Sequence, residues 1–318
     1  MEKRIIDLHC DTIMACHFSN ATLKSEELHI NIEKLIEGGS MMQAFSLFIP
    51  TDGKVGRDGK TLPWDIYNSM VETFYKELNN NSDTLKLALS YYDVINNKKD
   101  GYISALLTVE DGIAIDGKME RLEKMYKDGV RMLALTWNFE NSIGYPNSLD
   151  PISHMKGLKP FGFDVVKRMN ELGMIIDVSH LSEGGFNDVA NNSKKPFVAS
   201  HSSARALRNH QRNLTDDQLK TLANHGGVVG VNFCSAFLSE DLRNTYAKDI
   251  VNHLLYMKNV AGIDTLSFGS DFDGIESIMD FRDYAGFPII LNLLEKEFTD
   301  DEIEKICNKN FLRVMKDI

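Results

Sequence analysis

The sequence predicts one α/β domain over residues 1–318, folded as a (β/α)8 barrel (TIM barrel) with lid-like insertions after the second, third and fourth strands. Short apolar segments of strand length alternate with helical patterns along the chain. This alternation indicates parallel strands joined by right-handed crossovers. We count eight such units, and 318 residues exceed the ~250 that a closed barrel typically needs.

An open, doubly wound sheet is the alternative architecture for this alternation. Such a sheet usually carries a glycine-rich phosphate loop directly after its first strand. This chain has His9-Cys10-Asp11-Thr12 at that position, which lacks the glycines of a phosphate loop. The barrel is therefore the favoured prediction.

The predicted elements follow from apolar spacing and from the residues that begin or end helices. The first long helix starts at Pro63 and places Ile66, Met70 and Phe74 on one face. The predicted strands are the segments 5–9, 41–49, 102–109, 131–136, 174–178, 196–200, 227–233 and 265–269. The predicted helices are 63–79, a segment around 119–125, 161–172, 215–224, 246–260 and 299–316, and 51–62 and 138–160 are predicted loops.

Composition and charge restrict the classes of function. The net charge of −11 argues against a nucleic-acid partner and provides no basic face for an anionic membrane. The four cysteines are scattered without a Cys-x-x-Cys pair, so we expect reduced thiols. Residues 1–4 lead into the first strand without the apolar run of a signal peptide. We therefore expect a cytoplasmic protein with no membrane partner.

Acidic and imidazole side chains fall where the predicted strands end. The carboxyl ends of barrel strands form the active-site face, so these side chains should meet there. Each residue alone has a common structural explanation, such as a helix N-terminal carboxylate or a buried histidine with satisfied hydrogen bonds. Together they are ligands that zinc or manganese accepts, and two ions ~3.5–4 Å apart could share a bridging glutamate. The residues are His9 and Asp11 after the first strand, Glu110 after the third, His180 after the fifth, His201 after the sixth and Asp271 after the eighth.

The sequence also resembles a known family, the renal (membrane) dipeptidases, which are a branch of the amidohydrolase-type zinc barrels. The matching segments occur in family order from residue 5 to residue 311, so the resemblance covers nearly the whole chain. They are Asp7-Leu8-His9-Cys10-Asp11, Val109-Glu110 with Gly112, Gly157-Leu158-Lys159-Pro160-Phe161-Gly162, Ile176-Asp177-Val178-Ser179-His180, Ser200-His201-Ser202-Ser203-Ala204, Arg212-Asn213-Leu214, Gly269-Ser270-Asp271-Phe272-Asp273-Gly274 and Asn310-Phe311.

This resemblance implies a metallopeptidase that holds two zinc ions per chain and hydrolyses dipeptides with a hydroxide shared by the two ions. It implies that His9, Asp11 and Glu110 bind one zinc. It implies that Glu110 bridges to a second zinc, which His180 and His201 hold. Other divalent metals are possible occupants.

The resemblance assigns the remaining roles as well. It implies that Arg212 binds the carboxylate of a small dipeptide substrate and that Asp271 handles the proton of the attacking water. Family members are often homodimers, so we expect a homodimer. One position departs from the mammalian pattern: Trp137 stands where those relatives have a substrate-contacting histidine. An indole donates one N–H and carries no charge, so this departure concerns the substrate range and the rate of hydrolysis, and not the metal site.

Three alternatives stay open from the sequence. Another amide hydrolase on this scaffold, such as an N-acyl-amino-acid deacylase or a lactam hydrolase, would use the same metal ligands. A metal-binding barrel without turnover is the second, although the complete ligand set and Asp271 disfavour it. A phosphotriesterase-like enzyme is the third. Those barrels usually bridge their metals with a modified lysine at the fourth strand, and no lysine ends that strand here.

Overall fold

The computed structural model describes residues 4–318 and contains the predicted barrel. Eight parallel strands form a closed ring in chain order, and the pairing of the last strand with the first completes it. The (β/α)8 prediction is therefore confirmed. The strands are β1 (Ile5–Asp7), β2 (Ser40–Phe48), β3 (Ile103–Glu110), β4 (Val130–Ala134), β5 (Ile175–Asp177), β6 (Val198–Ala199), β7 (Val228–Val231) and β8 (Leu266–Phe268).

The ring is not paired evenly around its circumference. β2 and β3 share a long register, from Met42 opposite Ser104 to Phe48 opposite Glu110. By contrast, the register within the strands is a single residue pair between β5 and β6 and again between β8 and β1. Both seams border predicted metal ligands, and beyond the strands the β8–β1 seam continues with backbone bonds from Asp11 N–H to the Phe272 carbonyl and from Asp271 N–H to the His9 carbonyl.

Three short strands lie outside the ring and have no clear signal in the sequence. Leu85–Leu87 pairs with the first residues of β3, while the last residues of β3 pair with β4. The other two, Asn244–Thr245 and Ile278–Met279, form a small parallel sheet that joins the segments after β7 and β8.

The interior of the barrel is apolar at the amino-terminal end of the strands. One buried cluster takes a residue from each of seven neighbouring strands, which can meet only inside the ring. Phe311 and Val314 of the last helix belong to the same cluster and close that end. The opposite end is left for polar side chains. The strand residues of this cluster are Ile6, Met42, Leu106, Met132, Ile175, Val198 and Val228.

The helices cover the outside of the ring largely where the sequence predicts them. Thr215 begins the helix Asp216–Asn224 with a capping box, and Gly173 ends the helix Pro160–Leu172 in the left-handed conformation. The predicted helix 299–316 is broken by a π-helical turn at Lys305–Lys309. The α-helices are Thr12–Ser19, Ile32–Glu37, Pro63–Asn80, Tyr91–Lys99, Met119–Lys127, Pro151–His154, Pro160–Leu172, Glu183–Asn192, Asp216–Asn224, Ser235–Leu238, Ala247–Ala261, Phe287–Leu294, Asp300–Glu304 and Asn310–Asp317.

The segments after β2 and β4 cover the carboxyl-terminal end of the barrel and touch each other there. A Cβ on Gly53 would lie 3.0 Å from Cγ of Phe139, and Gly53 has a φ of +95°, so this approach needs glycine. The segment after β3 is more compact and begins with the 3-10 turn Gly112–Ile115. Among the described helices, none is both long and apolar enough to cross a bilayer.

Candidate metal centre

The strand ends bring the five predicted metal ligands into contact. The Glu110 carboxylate lies at the centre, because one oxygen is 3.4 Å from His9 Nε2 and the other is 2.9 Å from His180 Nε2 and 3.4 Å from His201 Nε2. Asp11 Oδ1 is 3.7 Å from His9 Nε2. All five side chains are buried or nearly so, although they are polar.

These side chains form overlapping groups that could each hold an ion. His9, Asp11 and Glu110 form one group, and Glu110, His180 and His201 form a second, with the ligand atoms of each within 4.8 Å of one another. Asp271 joins a third group with His9 and His201. Because Glu110 belongs to two groups, the arrangement suits two adjacent ions better than one.

Unsatisfied polar atoms support a cation at this position. His9 Nε2 and Asp11 Oδ1 are buried and have no hydrogen-bond partner among the described residues. Such atoms are costly unless a ligand satisfies them. Gly274 also lies against Asp11, where any Cβ would collide with the carboxylate. Imidazole and carboxylate donors at this spacing fit a divalent transition metal.

Electrostatics point in the same direction. Burial lowers the pKa of His9, but the Glu110 and Asp11 carboxylates outweigh that effect and raise it well above its usual value. Burial, with a smaller contribution from Glu110, raises the pKa of Asp11 to about 7. Burial also lowers the pKa of His180 to about 4, which favours the neutral, ligating imidazole. Crowded carboxylates shielded from water form a strong site for positive charge.

A second layer of side chains orients the histidines. The Ser200 hydroxyl lies 2.7 Å from His201 Nδ1 and donates to the Asp177 carboxylate. Asp177 also accepts the backbone N–H groups of Ser179 and Ser200 at 2.9 Å. These bonds hold the ring of His201 with Nε2 towards Glu110.

A matching arrangement holds Asp271. The Asp7 carboxylate accepts the Ser270 hydroxyl at 2.6 Å and the Ser270 N–H at 2.8 Å. Asn232 donates to Oδ2 of Asp271 at 2.9 Å, while Oδ1 lies 3.8 Å from His9 Nε2. Burial raises the pKa of Asp271 to about 6. This carboxyl group can therefore take up and release a proton near neutral pH.

Arg212 is buried beside the cluster. Its Nη2 donates to the carbonyl oxygen of His201 at 3.3 Å, and its guanidinium carbon lies 5.5 Å from the centre of the Phe237 ring. The guanidinium borders the same cleft as Glu110 and Asp271. Its remaining N–H groups can serve an anionic ligand there.

Trp137 forms one wall of this cleft, which has a volume of about 490 Å³. Its ring centre lies 4.8 Å from that of Phe48 and 6.2 Å from that of His180. Of the eight predicted site residues, six line the cleft, and His9 and His201 lie directly behind Glu110.

Comparison with known proteins identifies the family. The family model for membrane dipeptidases (peptidase family M19) matches residues 1–318. The chain belongs to the membrane dipeptidase family. This bears out the resemblance that the sequence motifs suggested.

The chain is also similar to individual proteins and to a solved structure. The chain is 32% identical to dipeptidase tcpJ of Claviceps purpurea, over 74% of this chain and 56% of that protein. It is 36% identical to an uncharacterized protein in the pqqA 5' region of Klebsiella pneumoniae, over 80% of this chain and 97% of that protein. The crystal structure of a metallopeptidase called dipeptidase AC superposes with a TM-score of 0.91 at 25% identity, covering 100% of this chain and 99% of that one.

The sequence interpretation of this member of the membrane dipeptidase family missed four residues that orient the site, namely Asp7, Asp177, Ser200 and Ser270. A signal was present, because Ile-Ile-Asp occurs before His9 and again before His180. Serine also directly precedes both His201 and Asp271. The structure shows that each aspartate of the repeated motif binds one of these serines.

Removing the Ser200 hydroxyl should weaken metal binding without unfolding the protein. Ser200→Ala frees His201 to rotate, and the loss of such an outer partner typically costs about 10–100-fold in metal affinity. Competition with a chelator of known affinity measures the change. Ser193→Ala is the matched control, since Ser193 is a buried, hydrogen-bonded serine that precedes β6. Equal affinity in both variants would show that Ser200 does not support the site.

Proposed function

We propose that this protein hydrolyses the peptide bond of dipeptides with a free C-terminal carboxylate, with two divalent ions, in the first place zinc. The observation that carries the proposal is the placement of Arg212 in the same 490 Å³ cleft as the Glu110-centred cluster and Asp271. A small substrate in this cleft can contact an anion-binding group and the candidate metal centre at once.

His9, Asp11 and Glu110 would hold one ion, and Glu110, His180 and His201 would hold the other. The two overlapping ligand groups support this division. Divalent cations held there would supply Lewis-acid chemistry, which lowers the pKa of water and polarises a peptide carbonyl. The protein supplies the fixed geometry, since Asp177 and Ser200 hold His201 in place.

Asp271 is the proposed proton carrier. Asn232 occupies Oδ2, which leaves Oδ1 on the side of His9 and the metal groups. The Asp271 carboxylate would accept the proton of the attacking water as the water oxygen bonds to the carbonyl carbon. It would then donate that proton to the leaving amine as the C–N bond breaks, which returns Asp271 to its starting form.

Arg212 and Trp137 are the proposed substrate contacts. Arg212 binds the α-carboxylate with parallel N–H groups, which limits the substrate to short peptides because a longer chain presents no carboxylate at that distance. Trp137 walls the pocket beside His180, and its indole N–H is available to a substrate oxygen. A fall in kcat for Trp137→Phe at constant metal content would reveal that contact. An unchanged kcat would show that the ring only packs against the substrate and donates no hydrogen bond to it.

A dipeptide panel with L-L, L-D and D-D pairs tests the proposed function. We expect hydrolysis that a chelator abolishes and that zinc, cobalt or manganese restores. N-acyl-amino acids run beside the panel, because a deacylase would hydrolyse them faster than any dipeptide. Failure on every dipeptide by the metal-loaded protein would overturn the proposal. The expected homodimer and cytoplasmic location remain predictions.

Arg212→Ala should impair dipeptide hydrolysis and leave metal content unchanged. Losing a bidentate, charge-assisted contact costs roughly 2–4 kcal/mol of transition-state binding, about a 30- to 1000-fold fall in kcat/KM. Dipeptide C-terminal amides provide the control, because the parent enzyme should hydrolyse them poorly and the variant should no longer distinguish them. Equal parent activity on acids and amides would refute this role.

A further inference from the structure

We infer that the substrate cleft favours dipeptides whose amino-terminal residue carries an acidic side chain, with Arg57 as the residue that binds it. This inference rests on the proposed function. Arg57 is exposed and borders the cleft that contains Glu110, Arg212 and Asp271. Its guanidinium makes no ion pair with any carboxylate of residues 4–318, so its charge is available to a ligand.

The backbone around Arg57 is held in place. The Arg57 N–H donates to the carbonyl oxygen of Pro50 at 3.2 Å, and the Gly56 N–H donates to that of Thr61 at 2.7 Å. The Asp58 carboxylate accepts the backbone N–H of Thr61 at 2.9 Å. These bonds fix the base of the side chain at the rim of the barrel.

Phe48 positions the other end of the side chain. The Arg57 guanidinium carbon lies 5.8 Å from the centre of the Phe48 ring, within the range of a cation–π contact. Phe48 is the last residue of β2 and also borders the cleft. The guanidinium therefore lies near an aromatic ring that lines the cleft, and its N–H groups donate to no other described residue.

The topology places Arg57 on the far side of the cleft from Arg212. Arg57 follows β2 and Arg212 follows β6, and strands four positions apart in an eight-stranded ring stand opposite each other. The candidate metal centre lies between them. A dipeptide with its carboxylate on Arg212 and its peptide bond at the metal centre extends its amino-terminal residue towards β2. Among the residues that line the cleft, Arg57 is the cationic group on that side.

Charge then decides which side chain fits. A carboxylate on the amino-terminal residue can form charge-assisted hydrogen bonds with Arg57. Glu276 is an exposed acidic group in the cleft, but it follows β8 and makes no ion pair with Arg57. It therefore does not neutralise the guanidinium.

An apolar cavity of about 610 Å³ adjoins the cleft and is the competing recipient of this side chain. Met14 and Arg57 border both spaces, and Phe18, Pro50 and Ile66 line the adjoining one. A substrate side chain that entered it would be large and apolar. Binding at Arg57 predicts a preference for an acidic amino-terminal side chain, and binding in the adjoining cavity predicts a preference for a large apolar one.

The sharpest test compares Glu-Ala with Gln-Ala, since these dipeptides differ only in the charge of one side chain. We expect the metal-loaded parent enzyme to prefer Glu-Ala by roughly 5- to 30-fold in kcat/KM, a range set by the exposure of the guanidinium. Arg57→Gln should reduce that ratio to about 1 to 2, and Arg57→Glu should favour Lys-Ala over Glu-Ala. Lys54→Gln is the matched control, because Lys54 is an exposed cation of the same loop that borders a different cavity.

The outcomes separate this inference from the proposed function. Hydrolysis of Ala-Ala with equal rates for Glu-Ala and Gln-Ala would overturn the role of Arg57 and leave the dipeptidase activity intact. A preference for Leu-Ala or Phe-Ala would assign the amino-terminal side chain to the adjoining apolar cavity and also overturn it. Hydrolysis of no dipeptide at all would remove the proposed function itself. An equal fall of the Glu-Ala to Gln-Ala ratio of kcat/KM in Lys54→Gln and Arg57→Gln would show a general charge effect. That result would contradict a specific contact with Arg57.

Discussion

Asp271→Asn is expected to lower kcat by about 10²–10⁴, the usual contribution of a positioned general base. Asparagine has nearly the same shape and keeps the contact with Asn232, but it cannot accept a proton. Metal content should stay close to that of the parent, because His9 and His201 keep their other partners. Steady-state kinetics on one dipeptide, together with elemental analysis of the same preparation, measure both quantities.

The control for this variant is Asp264→Asn, an exposed aspartate that precedes β8 and lies outside the cleft. It should retain parental kcat. Full activity in Asp271→Asn would remove the proposed proton transfer. A loss of metal equal to the loss of activity would instead make Asp271 a ligand, which its place beside His9 and His201 also permits.

Glu110→Ala is expected to abolish activity, by at least about 10³-fold, and to remove both ions. The Glu110 carboxylate lies between the two candidate ion positions, so the substitution withdraws a ligand from each. Elemental analysis should fall from close to two ions per chain to well below one. The change also removes a buried charge that His9 and His180 surround.

Folding must be checked separately for this variant. Thermal unfolding of metal-free parent and metal-free Glu110→Ala compares the two chains without the metal contribution. Glu72→Ala, an exposed change on the helix Pro63–Asn80, should keep both ions. One tightly held ion in Glu110→Ala would show that the carboxylate serves a single position and does not bridge.

The sequence could predict that these side chains meet, because the active-site face of a barrel lies at the carboxyl ends of its strands. His180 and His201 each follow a short apolar strand, and parallel strands bring such residues to the same rim. The structure places all eight predicted site residues in or directly behind one cleft. The order of the strands and the positions of their ends are sufficient to predict that these side chains converge.

Strand lengths and the supporting residues could not be predicted in the same way. β6 was predicted as 196–200 but contains only Val198–Ala199. Pro196 has no N–H for a strand ladder, and the Ser200 N–H is bound by the Asp177 side chain. Such bonds join residues far apart in sequence, and their pattern becomes visible only when neighbouring strands are known.

Asp177 and Asp7 act at the two thinnest seams of the ring. The seam between β5 and β6 and the seam between β8 and β1 each have one registered residue pair within the strands, and each is crossed by an aspartate that binds the backbone and hydroxyl of a serine. Side-chain bonds that cross the two seams, in addition to the backbone bonds there, are thus the same bonds that orient His201 and Asp271. Slippage at either seam would misalign a reacting group before the barrel itself opened. A substitution at any of these four side chains is therefore expected to affect the geometry of the site and the pairing of a seam together.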